Sequence, residues 1–196
     1  MSIKIGIAGP VGSGKTSLIE ALTNRLTATH KVAIVTNDIY TTEDANYLKT
    51  HLAIDEAMII GVETGGCPHT AIRDDISMNQ EACERLEAAY APDIIFVESG
   101  GDNLSATFSY ELIDYYLYVI DVAQGSDIPR KKGAGLLFSD LLVVNKTDLA
   151  PYVGVDLVSM EKDVRHNRGN KPYLFVSNQE EETLESVKGW ILALTA

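Results

Sequence analysis

The chain has 196 residues, 45% hydrophobic and 22% charged, the balance of a globular protein with one sizeable core, and a single domain over residues 1–196 is expected. Lys+Arg 16 against Asp+Glu 28 leaves a net charge of −12, which excludes nucleic acid and anionic membrane as general partners because both are held by cationic surface. Two cysteines cannot make a disulfide framework, no apolar run approaches the ~20 residues of a membrane span, and a strand pattern starts at Ile3 without room for a signal peptide, so a reduced, cytoplasmic setting is expected.

The first predicted strand, Ile3–Ala8, runs into Gly9-Pro10-Val11-Gly12-Ser13-Gly14-Lys15-Thr16, a complete G-x-x-x-x-G-K-[ST] motif. Gly9, Gly12, Ser13 and Gly14 let backbone N–H groups turn inward around phosphate oxygens. Lys15 reaches the β/γ-phosphates, the Thr16 hydroxyl is suited to Mg²⁺, and Ser17 continues the anion-binding turn of the helix that follows. That helix, residues 16–26, places Leu18, Ile19, Leu22 and Leu26 on one side. A nucleoside triphosphate site is the expectation, the alternative being a glycine-rich strand-to-helix turn.

A strand at 32–36 leads to Asp38, and one at 58–62 leads to Glu63. Both acids are expected at the sheet edge that carries the phosphate loop, where they are candidate magnesium ligands. The loop after Glu63 reads Thr64-Gly65-Gly66-Cys67-Pro68-His69. A thiolate and an imidazole two positions apart make half a metal site: zinc and nickel each want four ligands, which two copies of the loop would supply across a two-fold dimer. One helix is expected over 71–89, with Ile72, Ile76, Cys83 and Leu86 along its apolar stripe, so Cys83 reads as a small buried hydrophobe.

Two further strands end in acids, 94–97 in Glu98 and 115–120 in Asp121. Element order favours Glu98 as the carboxylate of the magnesium site, and the Gly100 and Gly101 that follow allow close approach to a γ-phosphate. Asp121 is then a strand-end residue with a structural or secondary role. Arg130-Lys131-Lys132 is a rare cationic cluster, suited to a partner, a phosphate or a solvated turn. The strand at 141–144 opens into Asn145-Lys146-Thr147-Asp148, the N-K-x-D arrangement of guanine-specific P-loop proteins. An ionised Asp148 only accepts hydrogen bonds, and guanine offers it N1–H and a 2-amino group where adenine offers neither. Lys146 would lie over the purine and Asn145 would brace the loop; a polar loop with a helix cap is the plainer reading. A last strand at 173–176, then Ser177-Asn178 and a C-terminal helix through Leu184, Val187, Ile191 and Leu194, complete the chain. Buried strands alternating with helices predict an α/β P-loop NTPase fold, a doubly wound, mostly parallel sheet with helices on both faces.

Taken together and in order, the phosphate loop, Thr36-Asn37-Asp38-Ile39-Tyr40, residues 61–73, Glu98-Ser99-Gly100-Gly101-Asp102-Asn103-Leu104 and Asn145-Lys146-Thr147-Asp148-Leu149-Ala150-Pro151 resemble the urease accessory GTPase family, UreG, of the SIMIBI class. The resemblance implies GTP, Mg²⁺ and Ni²⁺ as cofactors, slow GTP hydrolysis to GDP and phosphate, and a homodimer that binds nickel, with zinc as an in vitro substitute, through Cys67 and His69 of both copies. It also implies that Asp38 and Glu63 couple the magnesium–nucleotide site to the metal loop, and that the other urease accessory proteins and apo-urease are partners. Pro10-Val11 stand where relatives in the wider class carry an additional lysine that reaches into the partner, so such a lysine is not expected here. The chain starts directly at its first strand, without the His- or Cys-rich N-terminal extension of some relatives, which weighs against the hydrogenase-directed cousin. Two other classes share the phosphate loop: a small-molecule kinase, opposed by the N-K-x-D run, and a metal buffer in which the nucleotide is only structural.

Overall fold

The computed structural model describes residues 2–39, 41–66, 68–101 and 106–195. In chain order the elements are β1 (Ile3–Ala8), α1 (Lys15–Leu26), β2 (Val32–Asp38), α2 (Glu43–His51), β3 (Ile59–Glu63), α3 (Pro68–Arg73), α4 (Ser77–Tyr90), β4 (Ile94–Glu98), β5 (Tyr115–Asp121), α5 (Ile128–Lys131), α6 (Ala134–Phe138), β6 (Leu141–Asn145), α7 (Ala150–Val153), α8 (Leu157–Arg168), β7 (Tyr173–Phe175) and α9 (Glu181–Leu194). The strands form one seven-stranded sheet in the order β3-β2-β4-β1-β5-β6-β7, and every pairing is parallel. This is the α/β P-loop architecture expected from the alternation of strands and helices.

The strands read as continuous apolar runs because both faces are covered. Along β4, Ile95 and Val97 enter the core beneath α3 and α4, while Ile94 and Phe96 enter the core shared with α1 and α9. Each face therefore takes alternate residues of the same strand. Leu18, Ile19, Leu22 and Leu26 of α1 are fully buried in the second of these cores.

Parallel pairing brings all the strand C-termini to one edge. Asp38 sits opposite Glu63, Thr36 and Ile7 both sit opposite Glu98, and Asp121 sits opposite Asn145. The chain leaves β1 toward β2 on one side and passes to β5 on the other, so a crevice opens beyond Ala8, where open α/β sheets bind ligands.

The single helix expected over 71–89 is two helices. The amides of Asp74 and Asp75 both bond to the Thr70 carbonyl and end α3. The Asp75 carboxylate then accepts from the Ser77 amide at 3.3 Å and its hydroxyl at 2.7 Å, a local turn that wins over helix continuation. The apolar stripe survives the break, since Ile72, Cys83 and Leu86 share a core and Ile76 packs against it. Among the described residues, no helix is long and apolar enough to cross a membrane.

Candidate functional site

Beyond the end of β1 lies a cavity of about 560 Å³ whose lining includes Gly12, Gly14, Lys15, Thr16, Ser17, Asp38, Asp44, Gly100, Gly101 and Lys146. That volume falls in the range of small-molecule sites. The phosphate loop bends around it through two glycine positions that no other residue fits. Gly14 has φ +89°, and a Cβ there would meet Asn145 Nδ2 at 2.5 Å; at Gly9 it would meet the Val119 carbonyl oxygen at 2.1 Å. Lys15 is buried, its Nζ donating to the carbonyls of Gly9 at 3.0 Å and Pro10 at 3.2 Å. The ammonium is thereby held at the mouth of the loop, at the positive end of α1.

Glu98 is the carboxylate beneath this loop. Its Oε1 accepts from the Thr16 hydroxyl at 2.7 Å, and the residue is 1% exposed. Its Oε2 is buried without a hydrogen-bond partner among the described residues. Burial pushes the Glu98 carboxyl up to about 7; Lys15 and the Thr16 hydrogen bond pull it down, while Asp44 and Asp38 push it further up. Asp38 is half-buried at the end of β2. Its Oδ1 accepts from the Ile39 amide at 2.7 Å, and Oδ2 accepts from the Thr41 hydroxyl. Its carbonyl accepts from the Thr64 amide at 2.9 Å and hydroxyl at 3.2 Å, and the Gly65 amide bonds to the Ile39 carbonyl at 3.1 Å. The strand that ends in Asp38 thus holds the start of the loop leading to the Cys-Pro-His motif.

Asp44, in the first turn of α2, was not distinguishable in the sequence, yet it lines the cavity beside Lys15 and Thr16. Burial raises its carboxyl above the ordinary range, Lys15 lowers it and Asp38 raises it again. The signal was weak because α2 buries only Ala45 and Leu48, too few apolar positions to declare a helix. Glu63 stands opposite Asp38 on the edge strand but is exposed and lines a neighbouring groove with Thr42, Glu81 and Arg85 rather than the main cavity.

The N-K-x-D run meets the phosphate loop directly. Asn145 Nδ2 donates to the Ser13 carbonyl at 3.0 Å, and its Oδ1 accepts from the Lys146 amide at 2.8 Å. Lys146 adopts a left-handed φ of 60°, and its Nζ donates to the Gly12 carbonyl and lies 3.8 Å from the Asp121 carboxylate. Asp121 also caps the short 3-10 turn Val122–Gln124 through the Ala123 amide, which makes it a structural brace rather than a part of the cavity wall. Asp148 accepts from the Ser177 hydroxyl at 2.7 Å, so a residue just beyond the last strand fixes the carboxylate of the N-K-x-D run.

His69 lies in α3 and is half-buried; Cys67 lies outside the described residues, as do Tyr40 and residues 102–105. Among the described residues no group of three or more His, Cys, Asp or Glu is arranged to hold a metal ion. Cys83 is 1% exposed, and burial pushes its thiol up to about 11, in keeping with a packing role. In the cationic cluster, Arg130 pairs with Asp163 of α8 at 3.5 Å and Lys131 with Asp127 at 3.7 Å, away from the cavity.

Residues 3–175 match the model of the CobW/HypB/UreG nucleotide-binding domain. The chain is 75% identical over 194 residues to the urease accessory protein UreG of Aliarcobacter butzleri, covering 99% of this chain and 100% of the relative. It is 59% identical to the protein of the same name from Corynebacterium urealyticum, over 96% of this chain and 93% of the other. HypB from Helicobacter pylori, solved in complex with nickel, superposes with a TM-score of 0.81 at 20% identity, over 99% of this chain and 87% of that one, a likeness of fold.

Proposed function

This chain belongs to the CobW/HypB/UreG family of P-loop nucleotide hydrolases, and from that premise we propose that it is a GTP-hydrolysing carrier of nickel for urease maturation, acting as a GTP-dependent homodimer. The observation that carries the reading is the junction of two loops on one cavity: Asn145 and Lys146 of the N-K-x-D run both bond to carbonyls of the phosphate loop. A nucleotide gripped by Gly9–Ser17 therefore has its base directed toward Asp148. There the carboxylate takes guanine N1–H and the 2-amino group; adenine would leave a charged acceptor unpaired, at a cost of about 1.5–3 kcal/mol.

The amides of the phosphate loop and Lys15 neutralise the β/γ-phosphates, and their charge is fixed before the bond to the γ-phosphoryl breaks. Thr16, Asp38 and Glu98 are the residues that would hold Mg²⁺, while Glu63 faces the neighbouring groove. Glu98 Oε2, without a hydrogen-bond partner among the described residues, fits a cation site next to the Thr16 hydroxyl. When bound, Mg²⁺ supplies charge neutralisation at the phosphates. Gly100 and Gly101, which line the cavity, would allow close approach to the γ-phosphate. Nickel is cargo, taken by Cys67 and His69 of two copies, four soft and borderline ligands in all. Partners are the other urease accessory proteins and apo-urease, in keeping with the names of the relatives at 59–75% identity. For the hydrogenase-directed alternative there are the shared family model and a fold likeness at 20% identity, against 59–75% identity to urease accessory proteins.

The test has two parts. A nucleotide panel should show binding and Mg²⁺-dependent cleavage of GTP over ATP, with turnover on the order of 10⁻⁴ s⁻¹ in the absence of partners. Nickel binding by calorimetry should be lost in Cys67→Ala and His69→Ala. Preference for ATP with transfer to an organic acceptor, or nickel binding unchanged in both variants, would overturn the reading.

A further inference from the structure

Two buried amides stand between the carboxylates of the nucleotide site and the helix that carries His69. Asn37, one residue before Asp38, is 1% exposed, and Asn79 of α4 is 0% exposed. Asn37 Nδ2 donates to the Glu98 carbonyl at 2.9 Å and to Asn79 Oδ1 at 2.8 Å. Asn79 Nδ2 donates to the Ala71 carbonyl of α3 at 2.9 Å and to Asn37 Oδ1 at 2.8 Å.

The two backbone carbonyls only accept, so each amide must turn its NH₂ toward one of them. That choice leaves each side-chain oxygen to accept the other's second N–H. All four amide protons and both oxygens are then satisfied, and any shift of one partner breaks a bond in a dry core. Such a closed buried network has one good arrangement and moves as a unit. At one end is the backbone of Glu98, whose carboxylate takes the Thr16 hydroxyl; at the other is the carbonyl two residues beyond His69.

We propose that Asn37 and Asn79 are positioning residues, a rigid amide link that conveys the state of the Thr16–Glu98–Asp38 nucleotide site to α3 and so sets the placement of His69 for metal capture. The metal part of this rests on the nickel-carrier reading above; the mechanical part does not. The link complements the backbone bonds from Asp38 and Ile39 to Thr64 and Gly65, so α3 is held to the nucleotide edge from both its preceding loop and its own carbonyl.

The experiment uses the full chain, with Mg²⁺ and either GDP or a non-hydrolysable GTP analogue, and Ni²⁺ as the probe. In the wild type the ratio of nickel affinities between the two nucleotide states should be about 5–150-fold, the usual span of coupled sites. Hydrogen exchange of the α3 amides should change with the nucleotide in parallel. In Asn79→Ala, and in the bulkier Asn79→Leu, guanine-nucleotide affinity should stay within about threefold while the nickel ratio falls to within about twofold of one. The α3 exchange response should vanish and that of the phosphate loop persist. A merely structural role would lower the melting temperature without touching the ratio. Retention of the ratio in either folded variant overturns the proposal. So does α3 exchange that is indifferent to nucleotide in the wild type, a result that decides the matter even if neither variant folds. Absence of any nickel binding in the wild type would count against the carrier reading alone, with α3 exchange still judging the link.

Discussion

Replacing Glu98 by glutamine should make the nucleotide-free protein more stable at neutral pH while removing its hydrolysis. The folded carboxyl titrates at about 7 against an ordinary glutamate value of 4.5, chiefly because it is buried. In that window the folded state keeps a proton that the unfolded chain has released, so stability falls as pH rises from about 4.5 and levels off above about 7. The loss associated with this one group is about 3 kcal/mol. The amide of the Glu98→Gln variant carries no charge to desolvate, and its oxygen can keep the Thr16 hydroxyl as donor. Urea unfolding of both proteins at pH 5 to 8, without nucleotide or divalent cation, isolates the effect as a difference of curves. The gap between the two should widen steadily from pH 5 to about 7 and then hold constant to pH 8, the variant ahead there by about 3 kcal/mol. Curves offset by a constant amount at every pH would refute the reasoning, because they would place Glu98 in an environment that does not disfavour its charge. The same variant should bind GTP yet fail to cleave it in a single-turnover assay.

Ser177→Ala removes the 2.7 Å hydrogen bond that orients Asp148. GTP affinity should fall roughly tenfold, about 1.4 kcal/mol, with the already weak ATP binding unchanged; equal losses for both nucleotides in calorimetry would contradict the role given to Asp148. Gly14→Ala forces a side chain onto φ +89° and its Cβ to 2.5 Å from Asn145 Nδ2. The strain of about 1–2 kcal/mol, with the clash added, should weaken guanine-nucleotide binding at least tenfold, and undiminished binding would show that the loop does not hold this geometry. In a Cys67→Ala background, Cys83, with its thiol pushed up to about 11 and 1% exposed, should resist an aromatic disulfide reagent at pH 8 until denaturant is added. Fast labelling of the native protein would place it outside the core.

The seven strands were readable because parallel strands covered on both faces are short, dense runs of Ile and Val that end in a polar residue. The main departure of that reading is at the ends, where Asp38, Glu63, Glu98, Asp121 and Asn145 prove to be the last residues of their strands. The phosphate loop and the N-K-x-D run stood out because each motif sets particular residue types at fixed spacing, and the structure brings the two together on one cavity. Helices α2 and α8 were not, since α2 buries two residues and α8 three, and neither makes a stripe that stands out from its charged surroundings. Asp44 was lost along with α2. The break between α3 and α4 depends on Asp75 choosing Ser77 over the helix, a competition that apolar periodicity does not record. The Asn37–Asn79 pair joins residues 42 positions apart, and amides carry no periodic signal; only the packed sheet and helices bring them together.

The central claim is that nucleotide and metal are handled by one shared, two-fold arrangement. Its most direct test is the mass of the protein by light scattering with simultaneous metal analysis, in GDP or GTP analogue, with and without Ni²⁺. A dimer carrying one nickel per two chains is expected when GTP analogue and Ni²⁺ are both present, abolished by His69→Ala. A monomer under every condition, or one nickel per chain regardless of nucleotide, would contradict it.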